Sequence, residues 1–315
     1  MDDVFAVIGI TFPVFAMVAL GYALVAFRVF SPEIVRAFGQ FVMYVALPAQ
    51  IFTSVSSQPV SKVMDVGFLA AFALGSLATF AAAYVWFSFT TGPIRRSIAV
   101  LGSVYSNSSF IGYPLVQVAL PQIAGVAIAM ALLVEIVVIA PISFVILSAA
   151  PNAREAGFVS RIRGTAINLF RRPVVIATIL AMALSASGLT PPGPVLHMTS
   201  ILGNSAAALA LLVIGGSVAG LPVKGNRSLA TQIVVGKLLV HPAMTLMALY
   251  VLGAFGIRLE PEMQVAVLLF AAVPMLSIYA AIAHEVNESA LASLAQIGAI
   301  VGSFFTLSLM LGLLV

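Results

Sequence analysis

Ten apolar stretches of about 20 residues, parted by short polar breaks, commit this chain to helices that cross a lipid bilayer. They fall at about 4–27, 34–56, 64–88, 98–118, 122–147, 173–189, 198–220, 229–253, 262–283 and 289–314, and the sixth is short. The breaks carry the expected punctuation: Ser31-Pro32, Gln58-Pro59, Thr91-Gly92-Pro93, Pro121, Pro191-Pro192-Gly193-Pro194, Pro222 and Gly256. Only 8% of residues are charged, against about 25% in soluble domains. The chain reads as an all-α integral membrane protein. Met1-Asp2-Asp3-Val4 lacks a basic n-region, so the first stretch reads as a span and not a cleaved signal.

Basic residues set the orientation. Alternating sides put eleven of them in one set of loops: Arg28, Arg36, Arg95, Arg96, Arg154, Arg161, Arg163, Arg171, Arg172, Lys224 and Arg227. The other side holds two, Lys62 and Arg258, while Lys237 lies within a span. The positive-inside rule then places both termini outside and the 150–172 segment in the cytoplasm. That basic segment separates two halves, 1–149 and 173–315, of five spans each. Five is odd, so the halves cross in opposite senses, which is the topology of an inverted repeat. No aromatic-interleaved basic patch suggests nucleic acid. Without cysteine there is no disulfide, thiolate metal site or thiol nucleophile.

Two spans are interrupted. The fourth carries Asn107-Ser108-Ser109-Phe110-Ile111-Gly112-Tyr113-Pro114, a polar, helix-breaking octet. The ninth carries Ala271-Ala272-Val273-Pro274-Met275-Leu276-Ser277-Ile278-Tyr279. Unwound backbone at membrane depth survives only when buried in protein or lining a cavity. Breaks at corresponding places of two halves mark the binding sites of many secondary transporters. The bland alternative is two unrelated proline kinks.

Asn-Ser-Ser-Phe-Ile-Gly-Tyr-Pro at 107–114 is similar to the Asn-x-x-Phe-x-Gly-x-Pro hallmark of the auxin efflux carrier family, which includes bacterial malonate and malate carriers. Tyr44-Val-Ala-Leu-Pro48, Lys237-Leu-Leu-Val-His-Pro242 and Ala272-Val-Pro-Met-Leu-Ser-Ile-Tyr279 also match. The resemblance implies a ten-helix 5+5 inverted repeat, related to the bile acid sodium symporter fold, in which broken helices 4 and 9 cross. It further implies a scaffold of helices 1, 2, 6 and 7 and a transport domain of helices 3–5 and 8–10 that moves like an elevator. The long central loop of the plant exporters has only about 23 residues in its place here, so regulation through it is not carried over.

The residues that could hold substrate are Asn107, Ser108, Ser109, Gly112, Pro114, Pro274, Ser277 and Tyr279. Amide and hydroxyl groups donate and accept, Gly112 permits close backbone approach, and Pro114 removes one amide. Half-helix N-termini could hold an organic carboxylate without an arginine. Against this stands interhelical hydrogen bonding for the serines and asparagine, and packing for Tyr279. Tyr44, Gln50 and Gln117 are weaker candidates for the pathway. Charged groups inside spans are costly and usually functional. Glu135 lies mid-span, while Lys237 and His241 share one helix face a turn apart. A Glu135–Lys237 or Glu135–His241 pair could be structural or could bind the coupling proton, and Lys237 could instead snorkel to the interface.

The reading that follows is a secondary transporter for a small organic anion, a mono- or dicarboxylate, in a bacterial inner membrane. It needs no cofactor, couples to H⁺ in preference to Na⁺, and is compatible with a homodimer. The alternatives are a sodium-coupled symporter of bile-acid type, a channel, which would want a repeated filter motif, and a lipid-modifying enzyme. The only aspartates are Asp2, Asp3 and Asp65, none mid-membrane, so the enzyme lacks an acidic metal motif. No phosphate loop of an ATP-driven pump is present.

Overall fold

Each of the ten apolar stretches is helical, and two of them are split. The computed structural model describes residues 2–59, 63–148, 172–221 and 225–314. The linker expected at 150–172, apart from Arg172, lies outside the described residues, as do Lys62, Pro222 and Lys224. The helices are α1 (Asp2–Ala26), α2 (Pro32–Ser56), α3 (Val66–Thr90), α4 (Pro93–Val104), α5 (108–119), α6 (Ala124–Leu147), α7 (Pro173–Ser187), α8 (Gly193–Val218), α9 (Arg227–Ala254), α10 (Pro261–Ala272), α11 (Tyr279–His284) and α12 (Ser289–Leu314). Seven of them, α1, α2, α3, α6, α8, α9 and α12, are long and apolar enough to cross a membrane by length and composition. The chain is an all-helical integral membrane protein.

Four prolines leave the same local signature. A turn of π-helix occupies Val42–Ala46, Ser108–Gly112, Glu135–Ile139 and Gly236–Val240, each ending two residues before Pro48, Pro114, Pro141 or Pro242. Proline has no N–H and its ring clashes with the carbonyl four residues back. The wider turn relieves that clash. The amide just before each proline bonds five residues back: Leu47 to Val42, Tyr113 to Ser108, Ala140 to Glu135, and His241 to Gly236. Single π-turns often mark functional sites. Here they carry Ser108, Glu135 and Lys237.

Small residues let the helices approach one another, as is usual in membranes. A Cβ on Gly215 of α8 would strike the Val18 carbonyl and the Tyr22 amide of α1, and one on Gly21 of α1 would strike Leu212 of α8. Gly75 of α3 meets Thr245 of α9 in the same way, and Gly203 of α8 meets Gln50 of α2. Those obstacles in α1 and α8 are backbone and cannot rotate away. Gly215→Val is therefore expected to force α1 off α8 and cost about 1–3 kcal/mol or more. A wild-type unfolding midpoint in detergent would contradict this contact.

Candidate functional site

The two splits face each other. Helix α4 ends at Val104 because Tyr105 turns extended (φ −69°, ψ 111°), and the helix resumes only at Ser108. Helix α10 ends at Ala272, and Val273 is extended (φ −66°, ψ 154°). A residue before proline avoids the helical region, so Pro274 accounts for that stop. The exposed backbone groups then pair with one another. Ser106 and Met275 form an antiparallel bridge, in which Asn107 N donates to Pro274 O at 2.9 Å and Leu276 N to Tyr105 O at 3.2 Å. No water is present at such depth to serve them otherwise.

Side chains extend the pairing. Asn107 Nδ2 donates to Ser277 Oγ at 2.8 Å, while Asn107 Oδ1 caps the new helix by accepting from Phe110 N at 3.3 Å. The Asn107 carbonyl takes the amides of Ile111 and Gly112, both at 3.1 Å. Ser108 Oγ donates to Glu135 Oε1. Gln296 of α12 donates to the Ser277 carbonyl at 3.1 Å. Asn107, Ser108 and Ser109 are buried, and Ser277 is half-buried. The result is a neutral, donor-rich surface where both chain breaks meet.

Next to it, through Ser106, lies a buried polar node around Lys237. Lys237 is fully buried and does not snorkel. Its Nζ lies 2.7 Å from Ser106 Oγ, 2.9 Å from Ala271 O, 3.3 Å from Val104 O and 2.8 Å from His241 Nδ1. His241 Nε2 reaches Ser76 Oγ at 3.1 Å, and its ring stacks on Phe72. Where Nζ donates to Nδ1, the ring proton resides on Nε2. The direct Glu135–Lys237 or Glu135–His241 pair expected from depth is not formed. Each group has instead been met by a nearer partner, Ser108 for the carboxylate and helix-terminal carbonyls for the ammonium. Among the described residues the one ion pair is Arg95–Glu288 at 2.7 Å, on the surface.

Several candidates have other tasks. Tyr279 is fully buried and its hydroxyl donates to Ile98 O at 2.9 Å. Its ring fills the space that Gly102 leaves open, which is the packing role. Gly112 gives close approach to Phe270 of α10, since a Cβ there would strike that ring. Pro274 contributes its carbonyl to the bridge, and Pro114 sets the π-turn. Gln50 is bonded to Ser54 at 3.2 Å against α8, and Tyr44 is exposed. Gln117 Oε1 is buried without a hydrogen-bond partner.

Three residues escaped the sequence reading: Ser76, Ser106 and Gln296. Ser106 adjoins the octet. A usable signal for the polar members on the π-turns is their place five or six residues ahead of a proline, as with Ser108–Pro114, Glu135–Pro141 and Lys237–Pro242. Two surface clefts, one lined by α9 and α12 around Thr231 and Gly298, the other by α9, α10 and α12 around Tyr250 and Gln264, contain none of the bridge residues. The site is therefore identified by its polar geometry and not by a cavity.

Comparison with known proteins bears on the chain as a whole. A family described as "Membrane transport protein" matches residues 6–311. A protein of Rhizobium meliloti (strain 1021) named "Putative malonate transporter" is 27% identical over 256 residues, covering 78% of each chain.

Proposed function

The chain belongs to this membrane transport family, the auxin efflux carrier family, and from that premise we propose that it carries a small dicarboxylate of the malonate class across the membrane by alternating access. It is a transporter and not an enzyme. The observation that carries the substrate reading is the antiparallel bridge between two helix breaks, with Asn107 and Ser277 joined across it and Ser108 and Ser109 at the start of the following helix. A carboxylate there would exchange the Asn107–Ser277 bond for donors from both halves, aided by the positive end of α5. Charged hydrogen bonds of this kind are worth about 1.5–3 kcal/mol each. The name of the Rhizobium relative supports malonate as the first substrate to try.

The proposal extends to the architecture. Ten spans arranged as a 5+5 inverted repeat account for the two split helices at equivalent places of oppositely directed halves. A scaffold of α1, α2, α7 and α8 is supported by the glycine-mediated contact of α1 with α8. The remaining helices would then form an elevator-type transport domain carrying the bridge. The basic-residue count supports an inner membrane with both termini outside. Glu135, bonded to Ser108, is the proposed proton carrier.

Saturable counterflow in proteoliposomes tests the reading. Labelled malonate should accumulate transiently in vesicles preloaded with unlabelled malonate, and unlabelled acetate or succinate should compete to graded extents. Flux that is linear in concentration and indifferent to preloading would refute it.

A further inference from the structure

Helices α4 and α10 end against the same side chain. Val104 is the last residue of α4 and Ala271 the penultimate residue of α10, and both carbonyls point at Lys237 Nζ. A helix C-terminus carries roughly half a negative charge. Two such ends meeting inside a membrane therefore present about one negative charge to a medium that solvates it poorly. Something cationic must sit between them.

We propose that Lys237 is that cation: a tethered ammonium that fills the place an inorganic ion would otherwise have to occupy, so that the bridge needs no bound Na⁺ or K⁺. Its surroundings are those of a small-cation site. Two helix-terminal carbonyls, the Ser106 hydroxyl and the His241 ring nitrogen converge on one point, at 2.7 to 3.3 Å. Two of the four are carbonyl oxygens that can only accept, the Ser106 hydroxyl can accept as well, and an ammonium has three protons to offer. The node is closed from behind by Ser76, whose hydroxyl lies 3.1 Å from His241 Nε2. Lys237 reaches it from the π-turn ahead of Pro242, and the whole side chain is fully buried. Shortening that side chain would leave the four ligands in place around a vacated cation position.

The consequence is a gain of cation dependence on mutation. Thermal unfolding in detergent, without substrate, is to be compared in choline, sodium, ammonium and methylammonium chlorides at constant ionic strength. The wild type should melt at one temperature in all four. Lys237→Ala should melt lower in choline and be raised saturably, on the order of 5 °C, by methylammonium or sodium. Lys237→Met, neutral and of similar length, should be low in every salt. A sodium-dependent rise in the wild type would overturn the inference, as would Lys237→Met with the wild-type midpoint. Should no variant at position 237 be purified, the wild-type arm decides alone: a flat response supports the tethered cation and a saturable sodium response overturns it. The inference rests on the bridge being the working site only for its bearing on transport. Because the readout needs no flux, failed malonate counterflow with these melting results would sink the malonate reading and leave this one standing.

Discussion

Asn107→Asp is expected to fold like the wild type and to lose malonate counterflow by about a hundredfold or more. The side-chain oxygen that caps α5 through Phe110 N is retained, and aspartate caps as well as asparagine does. Ser277 can donate to the new carboxylate, so the link between the two breaks also survives. What changes is the charge facing the anion. At an effective dielectric of about 20, two unit charges about 5 Å apart repel by roughly 3 kcal/mol, which is more than a hundredfold in affinity. Asn107→Ala separates the roles from the other side. It removes both the amide donors and the cap, so counterflow should fall and the unfolding midpoint should drop with the loss of about 1 kcal/mol. Measured together, an Asp variant that exchanges malonate normally would place the anion elsewhere.

Glu135→Gln should uncouple transport from protons while leaving exchange intact. Glutamine is isosteric, and its carbonyl oxygen still accepts from Ser108 Oγ, so the π-turn at Ser108–Gly112 keeps its partner. Charge repulsion would again supply the coupling. An ionised Glu135 and an anion at Ser108 would share a small, poorly solvated space, so loading the anion favours a proton on Glu135, and reciprocally. Tyr105 and Lys237 are the other titratable groups that feel this carboxylate. Lys237 is engaged by the helix ends, whereas Glu135 is bonded to Ser108 at the proposed anion site, so Glu135 is the group proposed to change charge. Gradient-driven accumulation should disappear in the variant, with counterflow within a few-fold of wild type. Accumulation that keeps its pH profile would remove Glu135 from the coupling role.

Much of this was legible in the sequence where a rule is local. The span boundaries came from apolar length: 173–189 is seen as Pro173–Ser187 and 289–314 as Ser289–Leu314. The two breaks came from Pro114 and Pro274 amid polar residues. Other features required geometry between distant segments. Depth along two helices put Glu135 and His241 at one level, with Lys237 a turn away, but depth is silent on which way a side chain turns around its helix axis. The π-turns rotate Glu135 and Lys237, and each side chain found a different partner. Tyr279 looked polar enough to bind substrate, yet the open space over Gly102 and the Ile98 carbonyl took it into packing. Gln296 and Ser76 carry no motif at all.

By itself the sequence determined that this chain lives in a bilayer, where its helices stop, and which prolines and polar residues break them. Those properties depend on residues close together in the chain, since a spanning helix satisfies its backbone hydrogen bonds within itself. The tertiary structure alone decided that the two breaks pair as one bridge and that Lys237 closes both half-helices. Those depend on groups more than a hundred residues apart in sequence, such as Lys237 Nζ and Val104 O, whose mutual position only the packed helices define.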